Sequence, residues 1–175
     1  MGLYEDMQNE ATRARLAVSV GATTAADAAA RLPAAQEALQ LLLATSFAVL
    51  QENQVRASIG FEPEHQSHRL YDLIPGPDLY RHGSFGFTAQ GDLYHVDQWR
   101  GAADPVVARA VKDAGGREVL FLGARVYVVI DSSSGERFRL HGEKIVFDNG
   151  WGLSITADRW AKDAVLELSK QEFQR

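Results

Sequence analysis

A chain of 175 residues, 46% hydrophobic and 23% charged, falls in the globular range and is long enough to enclose one sizeable core. Its formal net charge of −5 argues against nucleic-acid binding by overall charge, so only a local basic stripe is left for that role, and the absence of cysteine excludes thiol catalysis, disulfides and thiolate metal sites. The N-terminus is acidic, with no basic segment leading into an apolar one, and the longest apolar run, residues 38–50, contains Gln40 and falls short of the ~20 residues that span a bilayer. A soluble, cytoplasmic protein with no membrane partner is the expectation.

In chain order, Tyr4, Met7, Ala11, Ala14 and Val18 are spaced as the seam of an amphipathic helix over about 3–20. Gly21-Ala-Thr-Thr24 is expected to end it. Thr24 and Asp27 resemble a capping box for a second helix at 24–31, and Pro33 is expected to break or restart the chain. A third helix, 34–57, carries the broadest apolar face: Leu39, Leu42, Leu43, Phe47 and Leu50, widened by Leu41 and Val49. That face must be covered, either by the chain's own sheet or by a partner.

Residues 59–83 read as a long connecting loop, with Pro63, Pro75, Gly76 and Pro77. It carries the pair His65 and His68, which a helical turn would project to one side, with Glu62 and Asp72 as oxygen donors; the ordinary reading is a solvated loop. Next comes a hairpin, 84–97, turning at Ala89-Gln-Gly-Asp92. Its expected register pairs Phe87 with Tyr94 and Phe85 with Val96, leaving His82, Ser84, His95 and Asp97 on the other face. Asp104, Pro105 and Gly115-Gly116 bound a helix at 104–114.

The segment 117–156 is expected to be an antiparallel meander. Glu118 to Leu122 is its first strand, Gly123-Ala124 is either a turn or a bend, and Arg125–Ile130 pairs with Arg137–His141 so that Val128 opposes Arg139 and Tyr127 and Val129 join Phe138 and Leu140. Ile145 and Phe147 extend that face. After Asp148-Asn-Gly150, a three-residue loop is expected to pair Phe147 with Trp151 and Ile145 with Leu153. Thr156 caps a last helix, 157–172, whose Ala157, Trp160, Ala161, Ala164, Val165 and Leu168 form one apolar stripe.

The fold class is therefore α+β, with a helical segment at 1–58, the loop 59–83 and a sheet-and-helix region at 84–175. No phosphate loop, dinucleotide fingerprint, zinc-protease or nucleophile-elbow motif is present. Two candidate sites remain. His82 and His95, with Asp97, are placed as acid and base on a phosphodiester or ester, with Arg100 or Arg139 holding the anion. Arg125, Arg137, Arg139 and His141 form a basic stripe for an anion, an acidic partner or a nucleic-acid backbone, and a half-buried arginine there needs Glu118 or Asp148 as counter-charge. The functional expectation is a non-enzymatic protein–protein interaction or assembly protein, self-associating through the helix at 34–57. The alternative is a small metal-independent hydrolase or nuclease using His82 and His95. Neither reading uses a metal or cofactor.

Overall fold

The computed structural model describes residues 3–63, 73–98, 109, 112–130 and 135–172, the side chains of 3–24, 63, 73–75, 98 and 172 excepted. The architecture is α+β. One helix, α1 (Leu3–Glu52), is followed by β1 (Ser58–Pro63), β2 (Leu73–His82), β3 (Phe85–Thr88), β4 (Leu93–Gln98) and β5 (Val119–Arg125). These five strands close into a barrel in sequential order, all neighbours antiparallel except β1 and β5. A second sheet, β6 (Glu136–His141), β7 (Lys144–Asn149) and β8 (Ser154–Thr156), leads into α2 (Ala157–Glu172). Most of the expected helix 104–114 lies outside the described residues, as does the His65/His68 pair.

The three expected N-terminal helices are one. Gly21 and Pro33 both lie inside α1. Pro33 faces solvent, where water satisfies the carbonyl that its missing N–H leaves unpaired. The flanking alanines, Ala25, Ala26, Ala28, Ala29, Ala30, Ala34 and Ala35, are the strongest helix formers and offset its cost. The helix ends at Glu52, not at 57. Gln54 takes the left-handed conformation (φ 59°), its N–H donating to the Gln51 carbonyl at 2.9 Å and the Val55 N–H to the Leu50 carbonyl at 2.9 Å. This is the Schellman pattern, and its usual apolar pair is Val55 with Leu50, both buried.

Leu39, Leu43, Phe47 and Leu50 are buried in the core, against Tyr80, Phe85, Phe87 and Leu93 on the outside of the barrel and Phe138, Trp160, Ala161 and Ala164 from the second sheet and α2. These four residues of the face expected to serve either as core or as partner surface are core, while Leu41, expected to widen it, is 71% exposed. Small residues on α2 let it lie close to α1. The barrel's own interior is narrow, filled by Leu79, Val96, Leu120 and Leu122. Gly86 faces it, and a Cβ there would stand 2.3 Å from Leu79 Cδ1.

Four expectations on strands are corrected. The connection 59–83 contains β2, whose prolines lie in the part, Leu73–Asp78, that pairs with β1 alone; pairing with β3 begins at Leu79, so the missing donors cost no ladder bond on that side. In the 84–97 hairpin Thr88 pairs with Asp92 around a three-residue loop, so Phe87 lies opposite Leu93 and Phe85 opposite His95. That one-residue slip sends Tyr94 and Val96 to the opposite face. Residues 126–130 do not pair antiparallel with β6; a single parallel bridge joins Val129 to Arg139. Val126 and Val128 point inward, Tyr127 is exposed, and the Val128 N–H donates to Gln36 Oε1 of α1 at 2.8 Å. Finally, Phe147 lies opposite Ile155, because the β7–β8 loop holds Gly150 to Leu153 around Asn149, whose Oδ1 accepts from the Trp151 and Leu153 amides. Trp151 is 89% exposed.

Gly123 is a bend and not a turn: it lies within β5, at an irregularity opposite His95. The expected β6–β7 hairpin is as read, Leu140 facing Ile145 and Phe138 facing Phe147. Thr156 caps α2 as read, its Oγ1 accepting from the Arg159 amide at 3.3 Å.

Candidate functional site

His82 pairs with Phe85, so the β2–β3 turn has two residues, Gly83 and Ser84, with Gly83 at φ 61° in the position a tight hairpin of this type gives to glycine. Helix α2 crosses beside it, and Glu167 Oε2 stands 3.0 Å from His82 Nδ1. This contact divides two clefts that share Gly83 and Glu167.

The first, about 360 Å³, lies between the α1–β1 connection, the end of β2, the residues that lead into β5 and the last turns of α2. Three guanidiniums line it, each engaged: Arg56 Nη2 donates to the Gly115 carbonyl at 2.7 Å, Arg81 stands 3.3 Å from Glu118, and Arg117 stands 3.1 Å from Asp78. Ser58 Oγ donates to Glu118 at 3.0 Å, and Tyr80, buried at its side, donates to the Val55 carbonyl at 2.6 Å. The second cleft, about 370 Å³, has an apolar floor of Phe85, Phe147, Ile155 and Trp160, with Leu153 at its lip and His82, Glu136, Asn149 and Glu167 around its rim. Its floor belongs to a ring cluster in which Trp160 meets His82, Phe85, Phe87, Phe138 and Phe147 at centroid distances of 5.0 to 6.3 Å.

The expected acid and base share a face but not a cleft. His82, Phe85 and His95 occupy one level on three successive strands, so the two histidines are separated by two strand spacings, roughly 10 Å, with Phe85 between them. His82 makes an edge contact with Trp160, while His95 is exposed and lies 4.9 Å, centroid to centroid, from Phe85. Asp97 is exposed and pairs across to Phe121 on the barrel. Arg100 lies outside the described residues. Among the described residues no group of three or more His, Asp or Glu is placed to hold a metal ion.

The basic stripe is mostly an internal ion cluster. Arg139 Nε donates to Asp148 Oδ2 at 2.8 Å and Arg137 Nε stands 3.7 Å from the same oxygen, with side-chain exposures of 20%, 16% and 14% for Arg139, Arg137 and Asp148. Of the two carboxylates expected as counter-charge, Asp148 serves the stripe and Glu118 pairs with Arg81. Arg139 Nη1 also lies 3.2 Å from His141 Nδ1. Arg125 stands apart from the stripe, paired with Asp92 and lying over the Tyr127 ring.

The Asp148 carboxyl is held below its usual range, first by the hydrogen bond from Arg139 and then by that from Ser154. A carboxylate whose folded pKa is depressed contributes its full stabilisation above the unfolded value and loses it as pH falls through the folded one. Asp148→Asn is therefore expected to cost about 1–3 kcal/mol at neutral pH. The gap to the wild type should close as pH falls below about 4, which urea denaturation at pH 7 and at pH 3 measures.

Glu167, Glu136, Arg56 and Arg81 were invisible as site residues in the sequence. They come from the α1–β1 connection, β2, β6 and α2, and packing alone brings Arg56 and Arg81 to the first cleft, Glu136 to the second and Glu167 to both; no spacing links them. Trp160 was legible only as part of the α2 stripe. Comparison with protein-family models, with curated proteins and with solved structures finds no match. Among the described residues no helix is long and apolar enough to cross a membrane.

Proposed function

We propose that this chain is a non-enzymatic interaction protein that self-associates through the N-terminal half of α1. The observation that carries the proposal is the length of that helix against the part of it that is covered. Fifty residues make about 75 Å of helix, while a globule of the remaining chain is roughly 35 Å across. Among the described side chains of α1, which start at Ala25, core contacts begin at Leu32 and Ala35, and from Ala25 to Arg31 every side chain except Ala28 is exposed.

The seam Tyr4, Met7, Ala11, Ala14, Val18 continues at the same alternating spacing through Gly21, Ala25, Ala28 and Leu32 to Ala35 and Leu39. At its C-terminal end the chain itself covers this seam. Towards the N-terminus a second helix can cover it, since a 3.5-residue repeat favours supercoiling with a partner and small seam residues allow close approach. A helix rich in small residues is only marginally stable alone. The reading retains the cytoplasmic, protein-partnered character expected from the sequence and moves the contact from 34–57 to the preceding turns.

The test is molar mass by light scattering for the wild type and a Val18→Glu variant. A dimer that the variant converts to monomer, with a cooperative thermal transition retained, supports the reading. A wild type that is monomeric at every concentration, or a variant that remains dimeric, overturns it.

A further inference from the structure

We infer that the apolar cleft between the β2–β3 turn, the second sheet and α2 is a binding site for a small organic cation, an amine or ammonium carried on an aromatic or alkyl body. This site is independent of the helical arm.

The body is specified by the floor. Phe85, Phe147, Ile155 and Trp160 present a concave apolar surface within about 370 Å³, in the range that takes a small molecule. Leu153, 68% exposed, extends that surface to solvent at the lip, and Trp151, two residues along the same loop, is the most exposed large apolar side chain of those described. An apolar lip of this kind is costly in water and is relieved when a ligand covers it.

The charge is specified by the rim. Glu136 and Glu167 line the cleft, and among the described residues no lysine or arginine does. Glu167 is already oriented, standing 3.0 Å from His82 Nδ1. His82 is itself held edge-on against Trp160, so the carboxylate and the ring faces are set before any ligand arrives. Aromatic faces attract a cation in their own right. An anionic ligand would meet two carboxylates, with His82, already engaged by Glu167, as the one basic side chain among the described lining residues. The neighbouring cleft, lined by Arg56, Arg81 and Arg117, has the opposite character, and this gives the pair of clefts a built-in contrast.

Three probes of one shape separate body from charge: phenylbutylamine, phenylbutanol and phenylbutyrate, each titrated into the full nitrogen-labelled chain by heteronuclear NMR. The amine is expected to shift the Ser84 and Ile155 amides saturably and to bind roughly three- to tenfold more tightly than the alcohol, with the carboxylate weakest. A Glu136→Gln/Glu167→Gln double variant should reduce the amine to the affinity of the alcohol. Leu153→Ala should weaken amine and alcohol alike. The inference is overturned by the absence of saturable shifts at those amides, by a carboxylate that binds as well as the amine, or by a folded double variant that binds the amine unchanged. Should the double variant fail to fold, the ranking of the three probes on the wild type decides the matter.

Discussion

Replacing Gly91 by alanine should unseat the β3–β4 hairpin from α1 and lower stability by more than about 3 kcal/mol, the sum of a steric and a conformational cost. Gly91 is buried at φ 78°, and a Cβ built on it would lie 1.9 Å from the Gln40 carbonyl oxygen. That obstacle is helix backbone, which cannot rotate away as a side chain can. The turn is also tied to the helix by a polar contact, since Gln40 Nε2 lies 3.5 Å from Asp92 Oδ1, the carboxylate that Arg125 of β5 holds in place. The Gln40 contact would stretch if the hairpin withdrew. Gly116 supplies the control, since its φ is 82° but nothing lies within 4 Å of an added Cβ. Gly116→Ala should cost only the left-handed strain, about 1–2 kcal/mol. Urea unfolding of the two variants side by side measures the difference, and equal costs would mean that the approach of hairpin to helix is loose enough to absorb a methyl group.

Legibility in the sequence followed how local the determining forces are. The cap at Thr156, the α2 stripe and the β6–β7 hairpin are fixed by neighbours in sequence, and each stands where the residues place it. The registers of β4 and β8 are not so fixed, because the pattern of apolar residues is compatible with loops of different length. In both cases a glycine-containing loop chose the pairing, and the residues expected inside, Tyr94 with Val96 and Trp151 with Leu153, went elsewhere. Arg125–Ile130 has strong strand composition, yet it ends as a single parallel bridge because Val126 and Val128 gain more by packing under α1 than by laddering. For the same reason the two histidines read as one site are parted by Phe85, while the residues that do meet around His82 come from β6, β7, β8 and α2. Tertiary packing assembled that site, and no short-range pattern encoded it.

The largest single loss is expected at Trp160, where truncation to alanine should cost about 3–5 kcal/mol. Its side chain is buried at the one place where barrel, second sheet and α2 converge. From α2 it touches Phe85 and Phe87 of the barrel and Phe138 and Phe147 of the second sheet. Beyond the area it buries, each tilted or edge-on ring pair adds about 0.5–1.5 kcal/mol. Among the described residues no ladder joins the two sheets, and the one bridge to β6, from Val129 beyond the end of β5 to Arg139, lies outside the barrel strands, so their association depends on side chains more than on ladder bonds. Trp160→Phe should recover part of the loss by keeping a ring in the cluster, while Trp160→Ala leaves a void between two sheets that backbone pairing cannot close. Native-state hydrogen exchange then distinguishes two ways of failing. If the amides of β6 and β7 lose protection while those of β2 and β3 keep it, Trp160 acts as the staple between sheets. If all four strands lose protection together, barrel and second sheet unfold as a single cooperative unit and the staple account is wrong.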